Sequence, residues 1–224
     1  MKTTKLIIFS IISVLLSSCY SAKQMNKAIT KSVTEDVVRN VQVADTNIIL
    51  NTEKLAQFIP SAKVTTIHNY FIPALFYWET RDLLMAEINN RTYINNFTDV
   101  LNRKAVENNF AEKLNGKKLE ISIDNTPNEF YYDYKYVLIY FLFAYVYSTN
   151  WDIYHKMQHL KVSYRITKDN LQLKNGTFDS PFKKVDFHGF MWTESDAVRQ
   201  YVQINKADFI SASETLIQLI ANEL

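Results

Sequence analysis

Asp152, His155 and His159 are separated by three and then four residues, the spacing that brings side chains to one face of an α-helix. A carboxylate with two imidazoles can ligate a divalent metal, so a metal-dependent hydrolase is one reading of this segment. The segment runs Trp-Asp-Ile-Tyr-His-Lys-Met-Gln-His and lacks a glutamate beside the first histidine to act as general base. The competing reading is two hydrogen-bonding histidines in a loop, with no metal. Glu129 with Asp133, or Glu194 with Asp196, could do general acid work only in a pocket that raises one pKa; solvated acids at element ends are the simpler expectation. The sequence has no Gly-x-Ser-x-Gly, its three glycines stand at apparent turns, and Cys19 is its one cysteine. Serine-nucleophile and thiol chemistry, and phosphate cradles built on glycine loops, are therefore not expected. The chain reads as non-enzymatic, without a cofactor.

Aromatic residues are the more telling signal: 14 Tyr, 14 Phe and 3 Trp in 224 residues. Tyr131, Tyr132, Tyr134 and Tyr136 alternate in part with charges, while Tyr70, Phe71, Phe76, Tyr77 and Trp78 crowd around Pro73. Buried, such rings are ordinary sheet packing; exposed, they stack on sugars or line a lipid-binding groove. Pro73 cannot donate a ladder hydrogen bond, so its strand is expected at an edge or bend, where unpaired backbone is open to a partner. Tyr70, Phe71, Pro73, Phe76, Tyr77 and Trp78 form the candidate contact surface.

The amino terminus gives a location. Lys2 and Lys5 precede an uncharged run over 6–16, which has the pattern of a signal-peptide core. Eleven helical residues rise ~16 Å, about half the hydrocarbon layer, too short for a stable span. Leu16-Ser17-Ser18-Cys19 resembles the lipobox of bacterial lipoproteins. That resemblance implies cleavage between Ser18 and Cys19 and acylation of Cys19, which becomes the first mature residue; residues 1–18 are the signal peptide. It also accounts for a lone cysteine in an exported, oxidising environment. Two of the 25 Lys and Arg leave with the signal, and none of the 23 Asp and Glu does, so the mature side chains balance. No basic block suggests nucleic acid. No aspartate follows Cys19 and the first acid is Glu35. By the lipoprotein patterns, these features favour the outer membrane and a periplasm-facing chain.

The elements follow from periodicity. Residues 19–36 read as the lipidated cysteine and a polar tether, and 37–224 as one domain. Strands are expected at 41–50, at 64–79 bent at Pro73 with 83–88 as its hairpin partner, and at 119–124. A short helix is expected at 52–58 and a longer one at about 92–115, closed by Gly116. The twelve uncharged residues at 136–147 read as a central strand covered on both faces. The runs at 159–168 and 171–178 alternate around Asp169-Asn170, a two-residue hairpin turn. Helical spacing returns at 209–220, with 193–204 a preceding helix or strand. The expected fold is α+β: an antiparallel sheet with a central aromatic strand, packed against two main helices.

The order of these elements resembles small outer-membrane lipoproteins that assist lipid or lipopolysaccharide transport. Val162-Ser163-Tyr164-Arg165-Ile166, Leu171-Gln172-Leu173 and the segment 207–224 are similar to auxiliary lipoproteins of ABC-type transport systems. The aromatic run and the 70–78 segment have no counterpart there, so that family's partners do not carry over. The resulting expectation is a lipoprotein that binds an envelope protein or lipid during assembly or transport. A glycan-binding lipoprotein using Trp78 is the alternative, and metal-dependent hydrolysis at Asp152, His155 and His159 the third.

Overall fold

A computed structural model describes residues 22–55, 62–72, 75–141, 144–182, 185, 187–188 and 193–224. The fold is α+β, with two sheets rather than the single sheet expected. Helix α1 spans Ala22–Val38, α2 Asn90–Glu107, α3 Phe110–Leu114 and α4 Glu194–Glu223. The strands are β1 Ile48–Asn51, β2 Ala62–Ile72, β3 Leu75–Glu87, β4 Lys118–Asn125, β5 Glu129–Phe141, β6 Ala144–Tyr154, β7 His159–Lys168, β8 Leu171–Pro181 and β9 Phe187–His188. One sheet is ordered β1-β4-β7-β8, with β1 parallel to β4; the other is antiparallel, ordered β2-β3-β5-β6-β9.

In the first sheet, alternation does what period two requires. Leu119, Ile121 and Ile123 of β4 and Leu160, Val162, Tyr164 and Ile166 of β7 are buried, on the face that joins the hydrophobic core. The β7–β8 turn uses Asp169 and Asn170, both at positive φ (50° and 64°). Asn and Asp tolerate that region through short side chains, and two such residues suit a hairpin turn.

Helix α2 is capped by the Asn89 side chain, which accepts from Arg91 N at 2.9 Å. It ends before the expected residue 115. Asn109 takes a left-handed conformation (φ 53°) and separates the short α3 from it, and Gly116 (φ 81°) follows. The two carboxy-terminal segments form one helix, α4. Thr193 caps it: Asp196 N donates to Thr193 Oγ1 (3.2 Å), and the hydroxyl donates back to the Asp196 carboxylate (2.7 Å). Thirty helical residues give about 45 Å, so α4 bridges both sheets. Tyr201 stacks on Phe130 of β5 (4.6 Å), and near the other end Tyr164 of β7 donates to Glu223.

From Ala22 onward the expected tether is a helix. Met25, Ala28, Ile29 and Val33 on α1 are buried in the common core, and α1 packs on α2, α4 and β3. Buried Asp36 accepts from Lys206 of α4 at 2.6 Å, and Asn95 of α2 donates to the Arg39 carbonyl at 2.8 Å. Apolar positions at intervals of three, one and four form a narrow helical stripe, and burying it offsets the cost of ordering the segment. The strand expected over 41–50 is limited to β1. The expected helix at 52–58 extends beyond the described residues, and 53–55 form a turn.

Candidate functional site

The uncharged run 136–147 is not one buried strand. It divides into the distal halves of β5 and β6, with Phe141 paired to Ala144. The run 64–79 likewise divides: β2 pairs with β3 from Ala62↔Met85 to Ile72↔Leu75. Pro73 lies between these strands, outside the described residues. Because Leu75 pairs with Phe141, both hairpins turn at the same end of the sheet. Strand β5 is central in the strand order, as expected, but its distal part is uncovered.

Near its base the sheet is fully covered on one face and partly covered on the other. Leu84, Ala86, Phe130, Tyr132 and Ile153 are buried on the covered face; on the other, Arg81 donates to the Asp133 carboxylate from Nε (2.8 and 3.1 Å) and Nη2. Lys135 pairs with Glu79 at 3.1 Å. Beyond this level the cover thins. Tyr145, Val146 and Tyr147 are 66%, 65% and 64% exposed, and consecutive strand residues point to opposite faces, so distal β6 is open on both faces, while Leu75–Thr80 of β3 stay half-buried. Phe141 is 53% exposed.

The cross-strand rows are graded in polarity. The tip row is Ile72, Leu75, Phe141 and Ala144. The next is Phe71, Phe76, Tyr140 and Tyr145; then Tyr70, Tyr77, Ile139 and Val146; then Asn69, Trp78, Leu138 and Tyr147. Charge first enters in the fifth row, at Glu79, opposite Val137. Two partly covered rings are tied to the chain at this end: Trp78 Nε1 donates to Thr80 Oγ1 at 2.8 Å, and Tyr77 donates to Glu79. The Phe76 and Trp78 rings are 6.1 Å apart.

Of the expected contact residues, Phe76, Tyr77 and Trp78 lie on β3 and Tyr70 and Phe71 on β2, in one distal patch. Sequence reasoning placed Tyr140, Phe141, Tyr145 and Tyr147 in the core and so missed half of it. A usable signal was present: Lys135 stands immediately before the uncharged run 136–147 and Glu79 closes 64–79, and the two side chains pair.

Asp152, His155 and His159 do not share a helix. Asp152 lies on β6, beside His188 of β9. Buried His155 follows β6, its Nδ1 2.7 Å from the Lys156 carbonyl. His159 opens β7 in the other sheet and pairs with Asp179 at 2.5 Å. Among the described residues no group of three His, Cys, Asp or Glu could hold a metal ion. The carboxylate pairs also have structural partners: Tyr131 donates to Glu129, Asp133 binds Arg81, and Asp196 completes the α4 cap. A polar groove of about 540 Å³ lies on the first sheet, lined in part by Lys54, Glu120, Ser163 and Arg165. Its cations are paired, Lys54 with Asp124 at 2.6 Å and Arg165 with Glu120.

Comparison with protein-family models, curated proteins and solved structures finds no match to this chain. Among the described residues no helix is long and apolar enough to cross a membrane. Ser18 and Cys19 lie outside the described residues.

Proposed function

We propose that this chain is a non-catalytic, periplasm-facing outer-membrane lipoprotein, anchored through Cys19, that binds an envelope protein or a lipid during assembly or transport. The observation that carries the binding role is the paddle formed by the distal halves of β2, β3, β5 and β6, four rows without charge, in which Ile139, Tyr140, Phe141, Tyr145, Val146 and Tyr147 are exposed. Exposed apolar surface of this continuity marks an interaction site. The anchor rests on the Leu16-Ser17-Ser18-Cys19 tetrad. Each acyl methylene buried in lipid contributes about 0.8 kcal/mol, so several chains hold a protein firmly where one does not. Glycan binding at Trp78 has weaker support. Sugar sites combine a stacking ring with several hydrogen-bonding groups, whereas Trp78 Nε1 is taken by Thr80 and the two rows nearer the tip offer only tyrosine hydroxyls.

Two measurements test the reading. Cys19→Ala is expected to remove the acyl mass from the amino-terminal peptide and shift the chain from the membrane to the soluble fraction; unchanged fractionation, with no acyl mass on the native peptide, contradicts the anchor. A photo-crosslinking residue at position 145 in the native host is expected to capture an envelope protein or a lipid. Reproducible absence of both adducts contradicts the binding role.

A further inference from the structure

We infer that the aromatic paddle is a second membrane contact, its tip entering the lipid leaflet to which Cys19 is anchored. This deepens the proposal above and rests on its anchor.

Three observations select lipid over a protein partner. The first is reach. Helix α1 is described from Ala22, only three residues after Cys19, a span of at most about 10 Å in extended chain. A seventeen-residue tether would have allowed the domain to float about 60 Å away; replacing it with a packed helix holds the domain at the bilayer surface. An apolar tip on such a domain has lipid close at hand.

The second is the order of residue types along the paddle. Aliphatic residues and Phe occupy the tip row, Tyr joins in the next rows, Trp78 follows, and charge begins at Glu79. That sequence matches the profile along a bilayer normal: hydrocarbon, then the interface that Tyr and Trp prefer, then water. The gradient runs along all four strands, and distal β6 is open on both faces. A partner docked on one face would need only that face to be apolar, whereas a wedge surrounded by lipid needs both.

The third is depth. Four uncharged rows at ~3.3 Å each make about 13 Å, close to one leaflet of a ~30 Å hydrocarbon layer. A spanning strand needs about 9–11 residues, so the paddle enters one leaflet and does not cross. Its open edges set the same limit. Among the described residues β2 has no neighbour on its outer side, and β6 is paired there only at Asp152 and Ile153. Unpaired backbone is costly in hydrocarbon, which opposes entry beyond one leaflet.

The experiment uses the intact acylated chain in vesicles of phosphatidylethanolamine and phosphatidylglycerol. In that chain the Cys19 thiol is occupied, so a cysteine introduced by Ala144→Cys is the only one free to take an environment-sensitive dye. Leu171→Cys, at the exposed β7–β8 turn, is the control. The expected result is blue-shifted emission and quenching by brominated acyl chains at 144, with aqueous iodide quenching at 171 alone. Phe141→Lys should lower the lipid signal at 144 about tenfold or more. Equal iodide access at both positions overturns the inference. So does protection at 144 that grows with protein density and vanishes at one chain per vesicle, because that marks a second copy as the occupant. The mass of the amino-terminal peptide reads the anchor separately. If the peptide proves unacylated, vesicle flotation abolished by Phe141→Lys still supports paddle insertion, and flotation indifferent to that change overturns it.

Discussion

Leu75 of β3 and Phe141 of β5 are directly paired, and this register brings two hairpin ends from distant parts of the chain to one edge of the molecule. Phe141 is 53% exposed and Leu75 half-buried, so neither belongs to the fully buried core. The pairing therefore separates apolar residues that hold the fold from apolar residues that do not.

That separation is measurable. Phe97 on α2 is fully buried, and truncating it to alanine should cost about 3–5 kcal/mol through lost burial and a cavity. Phe141→Ala removes a ring that is 53% exposed and should change stability by less than about 1 kcal/mol. Urea denaturation of the two variants reads the difference; equal losses would show that the tip is packed.

Helix α1 makes a similar forecast for a segment whose composition suggests a linker. Met25 has no exposed surface, so Met25→Ala should destabilise the domain by about 2–4 kcal/mol. Replacing Thr30, which is exposed on the same helix, should be near neutral. A tether would be indifferent to both changes, and thermal melts of the two variants decide.

The parts of the fold legible in the sequence are those where polarity and punctuation agree. Leu119, Ile121 and Ile123 alternate cleanly, and Asp169-Asn170 marks its hairpin with two residues suited to positive φ. At the paddle the two cues separate. The β5–β6 connection is Leu142-Phe143, with no Gly, Pro or Asn to mark a turn, so 136–147 reads as continuous. Reading an uncharged run as doubly buried also assumes that apolar residues are covered, which fails at an interaction surface. Pro73 suits a bend within one strand and equally the boundary between two strands. For α1, thirteen other residues dilute a four-residue stripe. The two-histidine spacing misled because a spacing of four has meaning only on a helix, and β6 ends at Tyr154.

Gly176 of β8 sits opposite Tyr164 of β7, and the tyrosine ring occupies the space where a side chain at 176 would begin. The end of the ring that meets position 176 is the hydroxyl end, which is held by donating to Glu223. Gly176→Ala should therefore displace Tyr164 and destabilise by about 1–3 kcal/mol. Combining it with Tyr164→Ala should cost less than the sum of the single changes, because the clash is gone. Strict additivity in a thermal double-mutant cycle would show that the ring moves aside freely.

Arg81 and Asp133 form an asymmetric pair: the arginine side chain is 56% exposed and the aspartate 9%. Removing Arg81 leaves a nearly buried carboxylate without its cation, at a cost of about 1–3 kcal/mol. Removing the carboxylate leaves a guanidinium that water can solvate, so Asp133→Asn should cost less than Arg81→Met. Chemical denaturation of the two variants at equal ionic strength gives the order, and the reverse order would count against the asymmetry.

Alkaline pH should weaken the fold through two hydroxyls. Burial, followed by the Glu223 hydrogen bond, pushes Tyr164 up to about 12; the Glu129 hydrogen bond, followed by burial, takes Tyr131 to about 12. An unfolded chain releases these protons near pH 10. Between about pH 10 and pH 12 the unfolded state thus binds fewer protons than the folded one, and stability falls as pH rises. The contribution of each tyrosine is complete below about pH 10 and is lost as pH climbs through the folded value. Tyr164→Phe and Tyr131→Phe should each flatten the decline of the melting temperature between about pH 9 and about pH 11. They should leave its shape at neutral pH unaltered. Absorbance at the tyrosinate band should show two fewer late-titrating groups in the double variant, and an unchanged alkaline slope would mean that neither hydroxyl keeps its proton in the folded chain.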